Sequence, residues 1–402
     1  MRELSGLPPL TPEVAWVVAA LRARYRSSAP DLLPNPPGEV DWRLVLDTAR
    51  ENGVVQLIEP MMRERSADRV PEEVLEACSG EVRDIAIWNL ELTRELLHVL
   101  DQLESAGIQA LPYKGPILAQ VAYGDLRLRQ FGDLDILVGH RDVERAISLL
   151  ESDGYRSDAA LSPRQVEAVI RYGHDWHLGK RDRFVVEVQW AVANHEHMLP
   201  RGIQPLMDRA ARVRLAGRDV PTLDPTDQLV VVALHGSIHL FTRLAWVCDM
   251  VEAISVPGAD PGAALRIADG AHARRMLLFA IAMVDRILHV RPVPELAMLA
   301  RSDEKLTRVV DDLLPVVLAA GGADYRSPHD RVGIRAALAD RRADAAVGLV
   351  RTVMTPIPSD YAAVSLPDAL FRGYHLVRLA RLMRYYAQGR RRVSGVDVFD
   401  TI

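Results

Sequence analysis

Residues 131–138 read FGDLDILV, two carboxylates one residue apart inside an otherwise apolar run. Burying charge is costly unless it is paired or bound to a metal, so Asp133 and Asp135 either end at a surface or hold something positive. Side chains two apart on a strand share a face. That aims both acids at one point and turns Leu134, Ile136 and Val138 the other way. Two carboxylates so placed suit magnesium, a hard cation that takes oxygen ligands and shares them with substrate phosphates. In VVEVQWAV, Glu187 has the opposite phase from Val186 and Val188 and is the best third acid. Asp133, Asp135 and Glu187 are therefore the candidate catalytic and metal-ligating set.

Upstream, LPYKGPIL places Lys114, Gly115 and Pro116 where a strand gives way to a helix. Glycine lets a phosphate approach the backbone, and the first amides of the following helix can receive the anion. Lys114 adds a point charge, and Arg127 and Arg129, just before the aspartates, could reach triphosphate oxygens. Together these features point to metal-dependent phosphoryl chemistry.

The elements that must position these residues follow from the hydrophobic spacing. Residues 30–42, PDLLPNPPGEVDW, form a proline-rich entry loop. From Asp41 to about Gly107 apolar residues recur at three- and four-residue spacing, the mark of helix, with Gly107 a natural stop. Then come a strand at 108–113, a helix opening at Pro116, the strand GDLDILV, the helix HRDVERAISLLESDGY, and a hairpin of HDWHLGK and RFVVEVQWAV turning near Arg181 and Asp182. From Asp224, which caps a helix, the pattern is helical to about Gln388, with breaks at 257–262, 324–330 and 355–360. The expected fold class is α+β: an N-terminal helical region (1–107), a compact core with a small mixed sheet (108–220) and a C-terminal helical domain (221–402).

The run KGPILAQVAYGDLRLRQFGDLDILV resembles the signature of the uncharacterised nucleotidyltransferase family within the DNA polymerase β-like superfamily, and is similar in layout to AbiEii-type toxins. The likeness is strongest over 111–138, and LHGSIHLFTRLAWVCDMVEAI extends it downstream. Lys114–Gly115–Pro116 stands where the superfamily usually has Gly-Ser, and Gln189 stands where relatives often carry histidine. The resemblance implies a two-metal nucleotidyltransferase that takes an NTP and Mg2+. Asp133, Asp135 and Glu187 would bind metal, and Lys114, Gly115, Arg127 and Arg129 the nucleotide. The expected acceptor is a small molecule, a natural product or sugar; a toxin-like enzyme modifying tRNA or a protein, or a non-catalytic nucleotide-binding scaffold, is the alternative.

Other residues receive plainer readings. Asp125 is a turn or cap residue. His235 and His239 share a helix face and are packing residues near the cleft rather than a zinc site. Arg243 and Asp249 pair across the helical domain, and HEH at 195–197 is exposed loop. Asp175 in HDW lacks the partners of a phosphohydrolase motif. YHLVRLARLMRYYAQGRRR is an amphipathic helix with Leu376, Leu379 and Leu382 buried and its arginines solvated. The net charge of −5 provides no field to recruit nucleic acid. Cys78 and Cys248 sit in no paired motif, which suits a reducing cytoplasm, and no apolar run reaches membrane-spanning length.

Overall fold

The computed structural model describes residues 7–26, 40–65, 69–157, 160–192, 204–319 and 328–387. The chain opens with helices α1 (Pro12–Tyr25), α2 (Trp42–Glu51), α3 (Val55–Arg65) and the long α4 (Glu72–Ser105). β1 (Ala110–Pro112) leads into α5 (Gly115–Leu118), which widens into a π-type turn over Ala119–Tyr123. Then follow β2 (Leu134–Val138), α6 (Val143–Ser152), β3 (Arg156–Ser157), α7 (Pro163–Tyr172), β4 (Asp175–Lys180) and β5 (Phe184–Gln189). After α8 (Gln204–Met207) come β6 (Ala211–Leu215) and β7 (Arg218–Thr222). The helices beyond are α9 (Pro225–Ile238), α10 (Leu244–Ser255), α11 (Pro261–Gly270), α12 (Arg274–Leu288), α13 (Pro294–Ser302) and α14 (Glu304–Val317). The last are α15 (Pro328–Leu338), α16 (Arg342–Met354), α17 (Pro358–Ala363) and α18 (Tyr374–Ala387). Most of the entry loop (30–39), the HEH segment, part of the 324–330 break and the arginines at 390–392 lie outside the described residues.

Local chemistry explains the ends that matter. α4 stops because Gly107 takes a left-handed φ of 69°, letting the amides of Gly107 and Ile108 return to the carbonyls of Glu104 and Leu103. Ser162 and Gln165 close a reciprocal capping box on α7. Asp224 caps α9 by accepting from the Thr226 amide at 2.8 Å.

The five-stranded sheet runs β1-β2-β5-β4-β3, with β2 and β5 parallel and the other neighbours antiparallel. Its two faces differ in chemistry. Leu134, Ile136, Val138, Val186, Val188, Trp176 and Leu178 are buried with the inner side of α4 (Leu92, Leu96, Val99) and of α6 in one apolar cluster. On the other face the alternate positions carry the acids, with Leu111, Tyr113 and Leu137 packed beside Val231 of α9. A separate helical cluster joins α1–α4 to α9–α14. The fold is thus a mixed α+β core flanked by helices, as the hydrophobic pattern implied.

Two expectations need correction. The sequence reading had no hairpin at 211–222, yet β6 and β7 pair across Ala216 and Gly217, both at positive φ, the turn chemistry that suits a two-residue connection. In α18, Leu382 is buried but Leu376 is 70% and Leu379 39% exposed, while Arg378 is fully buried. The reason is Asp360: this buried acid accepts from the Ile357 amide and is flanked by Arg378 and Arg381, so the helix turns these two cations toward it and leaves Arg384 exposed. Among the described residues no helix is long and apolar enough to cross a membrane.

Candidate active site

Strand register builds the site. β2 and β5 pair Asp135 with Glu187, and β5 and β4 pair Glu187 with His177, so three polar side chains form a row across the sheet. One step along, Asp175 pairs with Gln189 on the same face. Asp133 stands just before β2, two residues from Asp135 and on the same side. The row opens into a cavity of about 540 Å³, whose opposite wall comes from α9, α10 and α15 and includes His235, His239, Trp246 and Arg335.

Gly115 has a φ of 50°, and a Cβ there would come within 3.0 Å of the Asp133 carbonyl oxygen. Only glycine lets this turn lie so close to the strand entrance. The close approach brings Lys114 Nζ to 2.5 Å from Asp135 Oδ1. The Gln189 amide donates to the same Oδ1 at 3.0 Å and to Glu187 Oε2 at 2.8 Å, while the Tyr113 hydroxyl donates to the Gln189 carbonyl oxygen. Gln189 therefore ties two strands' acids together. Asp135 Oδ2, however, is buried with no hydrogen-bond partner.

Crowded carboxyls pull protons. Burial, then the charge of Asp135, pushes Glu187 up to about 8. The same two causes raise Asp133. For His177 burial opposes the charge, but the hydrogen bond to Asp175 and the charge of Glu187 outweigh it and lift the imidazole to about 9. Burial also opposes charge on Lys114, and Asp135 outweighs it, so the ammonium rises well above its ordinary value. His235 moves the other way, pulled well below normal by burial and by the charge of Lys114. An extra cation would relieve this surplus of negative charge. Oxygen donors such as these suit a hard divalent metal; among the described residues the side chains close enough to share one ion are Asp175, His177 and Glu187, a group that includes neither Asp133 nor Asp135.

Of the residues expected from sequence, Lys114, Gly115, Arg129, Asp133, Asp135 and Glu187 all line the cavity. Arg127 is not among the lining residues; its guanidinium folds back onto Asp125, which also caps the turn at 126–128. The Arg129 guanidinium is held by Asp249, Nε to Oδ1 at 2.9 Å and Nη2 to Oδ2 at 3.0 Å. That overturns the expected Arg243–Asp249 pair; Arg243 lies instead over the Trp246 ring, 5.8 Å from its centre. The His235 and His239 rings lie 4.6 Å apart, tilted to each other, with Trp246 edge-on to His235, and the metal-capable group found among the described residues excludes them. The reading from sequence missed His177. The alternation in HDWHLGK, which sets Asp175 and His177 opposite Trp176 and Leu178, was the signal available.

The family described as "Uncharacterised nucleotidyltransferase" matches residues 38–289, a span that holds the sheet and the cavity's α9 and α10 walls. No curated protein matches the chain. Among solved structures, the lincomycin-bound lincosamide antibiotic adenylyltransferase LnuA is 17% identical, over 40% of this chain and 96% of that one, with a TM-score of 0.28. An antigenic nucleotidyltransferase-like protein from Paracoccidioides brasiliensis is 17% identical, over 52% of this chain and 92% of its own, with a TM-score of 0.30. On the strength of the family match, which spans more than half its length, the chain belongs to the uncharacterised nucleotidyltransferase family and is a transferase enzyme.

Proposed function

We propose that this enzyme transfers a nucleoside monophosphate from an NTP to a hydroxyl or phosphate of a small-molecule acceptor, a natural product or sugar, with magnesium and release of pyrophosphate. The observation that carries the reading is the Asp135–Glu187 row, with one buried carboxylate oxygen left open, lining a partly open cavity. At about 540 Å³ the cavity matches small-ligand pockets, which commonly span roughly 300–1,000 Å³.

In this reading Asp133, Asp135 and Glu187 hold the metal, which when bound neutralises phosphate charge and lowers the pKa of the attacking hydroxyl. The side chains do the rest. Lys114 holds the triphosphate beside the Gly115 turn, and Gln189 fixes the angle between Asp135 and Glu187. The acceptor oxygen forms a bond to the α-phosphorus as the bond to the bridging oxygen breaks and pyrophosphate leaves. Raised to about 8 without a cation beside it, the Glu187 carboxyl would ionise once a cation binds, and as a carboxylate it is placed to take the acceptor's proton. Arg129 acts through Asp249 to brace the cavity wall, and the mutually tilted rings of His235, His239 and Trp246 give an aromatic wall for a base or an acceptor ring to pack against. Two buried, unpaired cysteines agree with a reducing cytoplasm as the setting.

Each of the four NTPs, labelled at the α-phosphate, is incubated with enzyme, Mg2+ and cell extract, and the products are then separated by size. Label in the small-molecule fraction supports the reading. Label on RNA or protein moves the acceptor to a macromolecule, and no transfer from any NTP overturns the reading.

A further inference from the structure

We propose that Arg243, with Trp246 beside it, forms a subsite for an anionic group, a phosphate or a carboxylate, carried by a ring-bearing substrate. The inference deepens the functional reading and rests on it only in taking the cavity for the substrate site.

The charges of the cavity are divided between its walls. The acids stand on the sheet, and Lys114, Arg129, Arg243 and Arg335 are the lysine and arginines that line the space. Asp135 takes Lys114, and Asp249 takes both ends of the Arg129 fork. No acid among the described residues pairs with Arg243, whose exposed guanidinium lies over the Trp246 indole, 5.8 Å from the ring centre. A ring face attracts the cation without using its N–H donors. Those donors remain for a group with two oxygens in one plane, which a guanidinium meets as a fork. The His239 ring lies 5.0 Å from that of Trp246, so a ligand ring finds aromatic neighbours within reach of the same cation.

The backbone beneath Arg243 is built to hold it there. Leu240 and Phe241, both buried, take left-handed φ values of 56° and 50° where α9 turns into α10, a conformation that bulky side chains avoid. The Phe241 ring fills the space that a Cβ on Gly236 would need, which locks the corner against α9. Asn52 receives the first amides of α10, Leu244 on its Oδ1 and Ala245 on its carbonyl oxygen, each at 3.1 Å. Strain persists where the surroundings over-determine it, and such places cluster at ligand sites. This corner sets His239, Arg243 and Trp246 into the cavity lining.

The test follows the Trp246 emission of the full chain, taken as the difference between wild type and Trp246→Phe, as phenyl phosphate or phenol is added. Phenyl phosphate is expected to bind about 10-fold or more tightly than phenol, a preference that Arg243→Ala abolishes and Arg243→Lys keeps in part. The preference is a ratio within one protein, so a loss of folded material does not imitate it. No response of the wild type to phenyl phosphate, or binding by Arg243→Ala at wild-type strength, overturns the subsite. A response that potassium chloride reproduces also overturns it, as an adventitious ion only. Dialysis of Arg243→Ala against labelled NTP and Mg2+ then assigns the source. NTP binding weakened by about 10-fold or more puts the anionic group on the nucleotide, and unchanged NTP binding puts it on the acceptor. Nucleotidyl transfer without Arg243-dependent binding of phenyl phosphate overturns this inference alone. Arg243-dependent binding without transfer from any NTP overturns the functional reading alone.

Discussion

Asp135 and Asp249 are both buried aspartates with a cation beside them, and the chain treats them in opposite ways. Asp249 is saturated: Arg129 grips both its oxygens and the Tyr123 hydroxyl donates to Oδ1 at 2.7 Å. Asp135 receives Lys114 and Gln189 on one oxygen and nothing on the other. A planar guanidinium forks onto a carboxylate and completes it, whereas an ammonium is a point charge that leaves lone pairs free. The first arrangement braces a wall. In the proposed function the second keeps a ligand position open at a cost in stability, as functional sites commonly do.

Substitution should separate the two aspartates. Asp135→Ala is expected to lower nucleotidyl transfer by on the order of 10³-fold, since metal-held charge stabilisation is worth several kcal/mol. Asp135→Asn should do the same while leaving the denaturant midpoint near that of the wild type. A large stability loss there would erase the contrast with Asp249. Asp249→Ala should instead destabilise the fold by about 3–5 kcal/mol in urea titrations, because it strands the buried Arg129. Gly115→Ala should cost about 1–2 kcal/mol from its left-handed backbone. It should also raise the KM for NTP more than it lowers kcat, since the turn must withdraw from Asp133.

The smallest effect is in pH. In the folded chain Glu187 titrates near 8 and His177 near 9, both above their ordinary values. Between the ordinary and shifted values the folded state binds more protons than the unfolded one, so stability falls with rising pH. The His177 share is complete below about 6.5 and is lost as pH passes about 9. The metal-free protein should therefore unfold at lower urea at pH 9 than at pH 6, and saturating Mg2+ should flatten that slope. Asp249→Asn should leave the slope intact and Glu187→Gln should reduce it.

The same contrast marks what could be read from the chain beforehand. Alternation in FGDLDILV and VVEVQWAV put Asp133, Asp135 and Glu187 on the polar faces of their strands, because strand periodicity is local and strict. The Gly115 turn was equally visible, since glycine between lysine and proline has few other uses at a strand end. The Arg129–Asp249 bridge spans 120 residues, and no local pattern could choose Asp249's partner, so the nearer Arg243 was taken. His177 was within reach, because the hairpin of HDWHLGK and RFVVEVQWAV was expected; what the reading lacked was the register that sets His177 opposite Glu187. In α18 the spacing of leucines suggested a buried stripe, but the need to neutralise Asp360 set the helix's orientation.

The proposed chemistry is tested most directly by the rate of label transfer from an α-labelled NTP in Mg2+, measured for wild type and for folded Asp135→Asn. A labelled acceptor is expected with the wild type, with loss of that product both in the variant and on chelating the metal. Transfer by Asp135→Asn at the wild-type rate would contradict it.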